Sequence, residues 1–360
     1  MAKRFEKSLL ICSDRHSLYS SLKEILGELS GEVAGYDTSA TVGRFDSLIQ
    51  SQVLRMPYIV RAKWETSFQR KVNDELLGFI RRYKPDLVMV YNSEFLLPET
   101  CAEIKSGSKL VFYLADSPFY TPQNNYYLTV LSYADLILSP DTFWSKQLNT
   151  IGLANTLYFI PAPDKSYFSR ITDRSSLGSV PETEVLYVGS SYFNSWGYKK
   201  ALLMSRFTGF DFHLYGNSMW KRWFRFFPEL EEKYTESKYI PTERLNRMFN
   251  RTKLIPVDGN PGILNGFHLR TFEALNAGAL PLIEQREDVE KQLFDGCGIK
   301  LPLITDYSKA GDVAAYYLKN ENERRETVDT LIGFIMKKYD KTNNAELLAE
   351  HLTGASSRQG

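Results

Sequence analysis

The side chains best suited to chemistry lie in one run of the sequence, residues 265–282. It begins as a polar loop, continues as a predicted helix that carries Arg270 and Glu273, and ends in small residues before a short apolar strand. A helix N-terminus presents unpaired N–H groups and a partial positive charge, so a loop that opens a helix can bind a diphosphate. Arg270 can add a bidentate phosphate contact, and Glu273 can accept hydrogen bonds from a ribose diol. The run therefore predicts a nucleotide-sugar site.

The elements that must position this run form two similar series. Short apolar strands alternate with helices that have apolar residues at helical spacing, which predicts parallel sheets covered by helices. The first series has strands at 8–12, 32–36, 86–91, 110–114 and 135–138, with helices at 18–29 and 64–83. The second has strands at 184–188, 210–215, 253–257 and 280–283, with helices at 199–207, 241–250 and 311–338.

The alternation breaks at 159–168, and the polar stretch 172–181 is the predicted linker. We expect an α/β protein with an N-terminal Rossmann-like domain at 1–168, a C-terminal Rossmann-like domain at 169–345 and a C-terminal tail at 346–360 that is frayed beyond Leu352. In such an architecture the two domains face each other across a cleft, and the ligand binds in that cleft.

Composition narrows the function classes. The chain has 360 residues, of which 43% are hydrophobic and 24% charged, and its net charge of +1 gives no general attraction to nucleic acid. Three widely spaced cysteines form no CxxC pair and fit a reducing, cytoplasmic location. No apolar run is long enough to span a membrane. The aromatic and basic stretch 220–227 allows at most peripheral membrane contact, and a buried aromatic helix explains it better.

With these elements in place, the second half of the sequence resembles the CgeB-like, group 1 glycosyltransferases of the GT-B fold. The resemblance rests on Val185-Leu-Tyr-Val-Gly-Ser190, on Phe212-His-Leu-Tyr-Gly216 followed by Trp220, and on the block 269–278. Weaker matches extend it to roughly 84–340. It implies a transferase that moves a sugar from a nucleotide-diphosphate donor, by family habit a UDP-sugar, to a hydroxyl of a glycan, protein or lipid-linked acceptor. The C-terminal domain would bind the donor and the N-terminal domain the acceptor.

The resemblance also implies roles for single residues. Glu273 matches the acidic residue that holds the donor ribose, and Asp116 falls where related enzymes keep a catalytic His or Asp. Asn265 replaces a Glu that related retaining enzymes place near the transferred sugar, and an amide cannot act as a base. The remaining donor-binding candidates are the two glycine loops, the lysine pair and the residues around the helix start, namely Gly189, Ser190, Lys199, Lys200, Gly216, Asn217, Gly266, His268, Leu269, Arg270 and Thr271.

The predicted chemistry needs neither cofactor nor metal. No Asp-x-Asp pair is present to bridge a metal to the diphosphate, so Arg270, a lysine and helix N–H groups would stabilise the leaving group. An inverting reaction needs a base, which Asp116 or Asp14 can provide. In a retaining reaction the leaving phosphate takes the proton. The sequence leaves both courses open.

Other interpretations remain open at this point. Arg270 and Glu273 can be an ion pair on a solvated helix face, and Asp116 can be a turn residue or a helix cap. The chain can also be a nucleotide-sugar-binding protein without turnover, or a sugar-nucleotide epimerase with two Rossmann-like domains. The absence of G-x-G-x-x-G disfavours an oxidoreductase.

Overall fold

The structure is a computed structural model that describes residues 3–38, 58–92, 95–120, 126–163 and 165–353. The chain divides into two compact units. The first comprises Met1–Ala162 together with Tyr339–Gly360, and the second comprises Pro163–Lys338. The described residues of each unit form one six-stranded parallel sheet.

The first unit is built on a sheet whose strand order is β2-β1-β3-β4-β5-β6. Its middle strands are buried on both faces because helices cover the sheet, which explains their continuous apolar sequences. The strands are β1 Phe5–Ile11, β2 Ser30–Tyr36, β3 Leu87–Tyr91, β4 Lys109–Tyr113, β5 Leu136–Ser139 and β6 Thr156–Tyr158. The helices between them are α1 Tyr19–Leu29, α2 Tyr58–Tyr83, α3 Pro98–Lys105, α4 Tyr127–Leu131 and α5 Thr142–Thr150.

The second unit repeats this arrangement, with the strand order β12-β11-β10-β7-β8-β9. Its strands are β7 Thr183–Val188, β8 Phe212–Gly216, β9 Tyr234–Glu236, β10 Thr252–Val257, β11 Leu280–Glu284 and β12 Leu303–Ile304. Its α-helices are α6 Ser195–Met204, α7 Thr242–Asn250, α8 Arg270–Ala277, α9 Ala310–Lys319 and α10 Glu321–Lys338. Shorter helical turns lie at Arg174–Leu177, Ser205–Phe207, Ser218–Trp223, Pro228–Leu230, Val289–Leu293 and Tyr307–Lys309.

The strand orders locate a ligand site in each unit. In the first sheet the chain moves outward from β1 to β2 and then returns to place β3 on the other side of β1. In the second sheet it does the same around β7, with β10 on the far side from β8. Open parallel sheets bind ligands outside the carboxyl ends of the strands at such a switch point. In the second unit this rule points to the loops that follow β7 and β10.

The last described helix, α11 at Lys341–Leu352, corrects the expected tail at 346–360. Asp340 caps it by accepting hydrogen bonds from the N–H groups of Thr342 and Asn343. Its apolar side packs against α1, and buried Asn344 donates to the carbonyl of Ile160. Residues 346–352 are thus helical because apolar side chains at helical spacing meet a partner helix.

Two further sequence expectations differ from the structure. The division between the units falls after Ala162, and the stretch 172–181, expected to be the linker, belongs to the second unit. The helix expected at 311–338 is two helices, α9 and α10. The backbone leaves helical geometry at Asn320 (φ −104°, ψ 68°), and its polar side chain hydrogen-bonds the Tyr316 carbonyl. A local side-chain bond of this kind competes with helix continuation.

Candidate functional site

Helix α8 places the charged residues of the 265–282 run at the carboxyl edge of the second sheet. Its face towards the sheet is apolar, with Phe272 and Leu275 buried, while Glu273 is partly exposed. The helix ends at Gly278, whose φ of +90° is a left-handed conformation that favours glycine. The amphipathic spacing therefore fixes which residues point at the core and leaves Arg270 and Glu273 near the edge.

A buried network joins the ends of β7 and β10 to helix α6. The Tyr187 hydroxyl donates to Asp258 Oδ1 at 2.7 Å. Lys200 Nζ donates to the Tyr187 oxygen at 2.9 Å and lies 3.3 Å from Asp258 Oδ2. It also donates to the carbonyl of Ser190 at 3.3 Å. Lys200 and Asp258 are only 5% and 3% exposed, so each charge needs the other as its counterion.

Arg270 contacts this network through the face of the Tyr187 ring. Its guanidinium lies 5.0 Å from the centre of the Tyr187 ring, a cation–π distance. Burial alone would raise the pKa of Asp258, but the Lys200 ammonium and the Arg270 guanidinium hold that pKa below its ordinary value. Burial alone would lower the pKa of Lys200, and its contacts with Tyr187 and Asp258 raise it instead. The network is therefore an ionised pair that supports a second cation at the sheet edge.

His268 is neutral in this site. Burial and the neighbouring Arg270 charge lower the pKa of His268 to about 3. Its Nδ1 accepts the backbone N–H of Arg270 at 3.0 Å, so the ring proton sits on Nε2. His268 thus offers a neutral N–H donor at the loop that opens α8.

Glu273 and Thr271 differ in their surroundings although both lie in the first turn of α8. Burial raises the pKa of Glu273, and the Arg270 charge opposes that rise. The Thr271 side chain is fully buried, and its hydroxyl is among the buried polar atoms of the described residues that have no hydrogen-bond partner. Glu273 can therefore accept hydrogen bonds at the surface of the site, while Thr271 points into the core.

The lysine before Lys200 belongs to a different ion pair. Lys199 pairs with Glu284 at the end of β11 and lies 4.6 Å above the Trp196 ring. The other oxygen of Glu284 accepts the Gly259 N–H at 2.9 Å and lies 3.5 Å from Arg286. Both predicted phosphate-binding lysines are thus engaged within the protein, and a direct contact with a donor stays a prediction for each.

The side chain of Trp220 links the loops that contain Gly189 and Gly216. Trp220 Nε1 donates to the Gly189 carbonyl at 2.8 Å, and a Cβ on Gly216 would overlap both atoms of that bond. Asn217 Oδ1 accepts the Ser191 N–H at 3.0 Å, and its Nδ2 donates to the Ser191 carbonyl. Gly216 and Asn217 therefore shape the loop that follows β7, where Ser190 is exposed.

The remaining residues of the run support the loop itself. Asn265 Nδ2 donates to Glu287 Oε2 at 3.3 Å, and the backbone carbonyl of Asn265 accepts the Asp288 N–H at 2.9 Å. Gly266 is buried and Leu269 caps α8 without a side-chain hydrogen bond. A role in sugar or phosphate binding stays a prediction for these residues.

In the first unit, Asp116 lines a pocket of about 340 Å³ at the switch point between β1 and β3. Asn92 donates to Asp116 Oδ2 at 2.9 Å from a left-handed backbone (φ +40°), an uncommon conformation outside glycine. Desolvation raises the pKa of Asp116, and the Asn92 bond and the nearby His16 oppose that rise. His16 also packs on Tyr91, with ring centres 4.9 Å apart. The pocket joins a carboxylate to aromatic walls, an arrangement suited to carbohydrate.

Sequence reasoning missed Tyr187, Asp258, Glu284 and Arg286. Each lies in or just after a buried strand, and the rule that parallel strands carry functional residues at their carboxyl ends was a signal for Asp258. The aromatic stretch 220–227 is a short helical turn and its continuation, with Trp220 and Trp223 buried.

The described part of the chain holds neither a metal-binding cluster nor a membrane-spanning helix. Among those residues, no group of three or more His, Cys, Asp or Glu side chains is placed to hold a metal ion. Within the same residues, no helix has the length and apolar character needed to cross a bilayer.

Comparison with known proteins gives one family match over part of the chain and several solved structures of similar fold. Residues 199–350 match the family described as glycosyl transferase-like. No curated protein sequence is significantly similar to the chain. Among solved structures, HepE from Anabaena in complex with UDP and glucose has a TM-score of 0.61 at 10% identity, covering 97% of this chain and 100% of that one.

Sucrose-phosphate synthase from Thermosynechococcus elongatus has a TM-score of 0.65 at 14% identity, covering 98% of this chain and 100% of that one. A putative UDP-N-acetylglucosamine 2-epimerase from Listeria monocytogenes has a TM-score of 0.54 at 14% identity, with 99% and 98% coverage. At these identities the similarity shows the fold. The predicted fold class, GT-B with two Rossmann-like domains, is confirmed.

Proposed function

We propose that this protein is a glycosyltransferase that moves a sugar from a nucleotide-diphosphate donor, a UDP-sugar, to an acceptor hydroxyl without a metal ion. The observation that carries the proposal is the cluster at the switch point of the second unit. There Arg270, supported by the buried pair of Lys200 and Asp258, lies beside the partly exposed Glu273. The family match at 199–350 covers this cluster.

In this proposal Arg270 binds the donor diphosphate. Its guanidinium is held on the face of the Tyr187 ring, which limits its orientations before the donor arrives. The N–H groups that open α8 and the Nε2–H of His268 add neutral donors to the same region. Together they stabilise the charge that develops on the leaving diphosphate, the role that a metal plays in other transferases. Glu273 accepts hydrogen bonds from the ribose hydroxyls.

Asp116 is proposed as the group that receives the acceptor proton. A carboxylate with a raised pKa is a stronger base than an ordinary one, and the hydrogen bond from Asn92 fixes its direction. The aromatic walls of the pocket around it would hold the acceptor, which we propose to be a glycan or a glycan-like part of a larger molecule. Asn265 would contact a hydroxyl of the transferred sugar through its amide.

The test is turnover of a panel of UDP-sugars with and without glycan acceptors, in the presence of EDTA. The proposal expects acceptor-dependent release of UDP that EDTA leaves unchanged. Arg270→Ala should weaken binding of UDP by about tenfold to a hundredfold, the effect of losing a charge-assisted bond, and should weaken uridine binding much less. Arg325→Ala, which removes an exposed arginine of α10, is the matched control. Equal losses for UDP and uridine would refute the phosphate contact.

Glu273→Ala tests the ribose contact by the opposite pattern. The substitution should weaken the binding of UDP and of uridine alike, because both carry the ribose. It should weaken the binding of 2′-deoxyuridine diphosphate less, because that ligand lacks one of the two hydroxyls that Glu273 would bind. A Glu273→Ala protein that binds UDP with unchanged affinity would remove this part of the proposal.

A sugar-nucleotide epimerase is the second candidate, favoured by the similarity to the Listeria protein. It would convert UDP-N-acetylglucosamine with no acceptor present, whereas a transferase would not. Binding of UDP-sugars without either reaction, across a broad acceptor panel, would instead identify a binding protein of the same fold.

A further inference from the structure

A second cavity lies in the C-terminal unit, away from the cluster proposed to bind the donor. It has a volume of about 340 Å³, within the range of small-molecule sites. Its walls come from the segment 177–181, from β7 and β8, and from helix α7. Leu186 lines this cavity, while its neighbour Tyr187 belongs to the buried network. Successive side chains of a strand point to opposite faces, so Leu186 faces the cavity and Tyr187 faces the buried network on the other side of the sheet.

Two arginines of α7 give the cavity its charge. Arg244 and Arg247 are separated by one helical turn, so their side chains lie on the same side of the helix. No carboxylate is among the described residues that line the cavity. In the described part of the chain, the side chain of neither arginine forms a hydrogen bond or ion pair, although Glu243 precedes Arg247 by four residues. Two like charges at this spacing repel each other, and an anion between them would remove the repulsion.

Two aromatic residues also line the cavity. His213 and Tyr215 project from alternate positions of β8 with nearly parallel rings, 10° apart in plane and 6.5 Å between centres. Asp211 lies 3.2 Å from His213 Nε2 and holds that ring in place. Two aromatic rings and two arginine side chains thus line the same space of ligand size. Guanidinium groups bind phosphate through paired N–H donors, and carbon skeletons pack on aromatic rings.

We infer that this cavity is a binding site for a small phosphate monoester, with the phosphate held by Arg244 and Arg247 and the rest of the molecule packed on His213 and Tyr215. The site is separate from the proposed donor site and does not depend on the proposed function.

The experiment is isothermal titration of the full chain with ribose 5-phosphate and with AMP at constant ionic strength. The parent protein should bind at least one of the two probes. Arg244→Gln/Arg247→Gln should weaken that binding by at least about tenfold, because it removes both charged phosphate contacts. A matched double variant, Arg222→Gln/Lys238→Gln, removes two exposed cations of the same unit outside the cavity and should change the affinity less than about twofold.

A third protein, Arg270→Gln, separates this cavity from the proposed donor site. It should keep the affinity of the parent for the probe. The inference is overturned if neither probe binds the parent protein, if the Arg244/Arg247 variant binds as the parent does, or if Arg270→Gln removes the binding. Circular dichroism and thermal unfolding of each variant establish that the fold is retained. Glutamine at the two solvent-accessible helix positions is compatible with the helix.

Discussion

Replacing Lys200 by Met would leave the buried Asp258 carboxylate without its ammonium partner. Asp258 is 3% exposed and would keep the Tyr187 hydroxyl at 2.7 Å and the charge of Arg270. Removing one member of a buried ion pair typically destabilises a protein by about 3–5 kcal/mol. For a unit of this size each kcal/mol lowers the Tm by roughly 2–4 °C, so the unfolding transition of the second unit should fall by roughly 6–20 °C.

The matched control is the adjacent residue. Lys199 has a side chain that is 31% exposed, and its partner Glu284 also accepts the Gly259 N–H and lies near Arg286. Lys199→Met should therefore cost about 0–1 kcal/mol, as partly exposed pairs do. Differential scanning calorimetry of the two variants at pH 7 measures the difference directly.

The pH dependence of the Tm provides a second test of the Lys200→Met prediction. The lowered pKa of Asp258 in the parent protein means that its contribution to stability is present above the unfolded pKa and is lost as the pH falls through the folded pKa. Without Lys200 the burial of Asp258 is less opposed, so its pKa rises and the carboxyl becomes neutral at a higher pH. The Tm difference between the parent and Lys200→Met should therefore narrow as the pH falls from 7 towards 4.

A double variant closes the test. Asp258→Asn in the Lys200→Met background removes the uncompensated charge and keeps an acceptor for Tyr187, so the double variant should be more stable than Lys200→Met alone. The reasoning is refuted if Lys200→Met and Lys199→Met lower the Tm equally, or if the two substitutions at 200 and 258 destabilise additively.

Gly216→Ala should destabilise the second unit by about 1–3 kcal/mol, because its Cβ would overlap the indole Nε1 of Trp220. A Cβ at Gly209 would have no atom within 4 Å, so Gly209→Ala is the control and should not destabilise the unit in this way. Chemical denaturation measures the free energy of unfolding of both variants. The His268 ring should not titrate between pH 5 and 8, because its pKa is lowered to about 3, and a ring resonance that shifts near neutral pH in NMR would contradict this. Asp116→Asn should lower kcat about a hundredfold or more with little change in the KM for donor, and an unchanged kcat in steady-state assays would exclude it as the base.

Local sequence patterns predicted most of the elements in both units. The strand expected at 184–188 is β7 at Thr183–Val188, and the helix expected at 241–250 is α7 at Thr242–Asn250. These predictions succeed because the spacing of apolar residues in a short stretch of sequence distinguishes strands from helices. The helix expected at 311–338 failed at Asn320, where one polar side chain interrupts an otherwise continuous pattern.

The placement of Arg270 and Glu273 at the start of a helix also follows from the sequence, since both belong to one amphipathic run. The environment of these residues does not. Asp258 is 58 positions from Lys200 along the chain, and nothing in either neighbourhood marks them as partners. Their pairing requires β10 to lie beside β7, and that strand pairing is set by long-range packing.

The sequence by itself therefore determined the alternation of strands and helices, the glycine that ends α8 and the residue types available at its start. The tertiary structure decided which residues form ion pairs, because the residues that bury a charge and neutralise it come from elements far apart in the chain. Lys199 and Lys200 make the point: adjacent in sequence, they face Glu284 and Asp258, since successive helical side chains point about 100° apart.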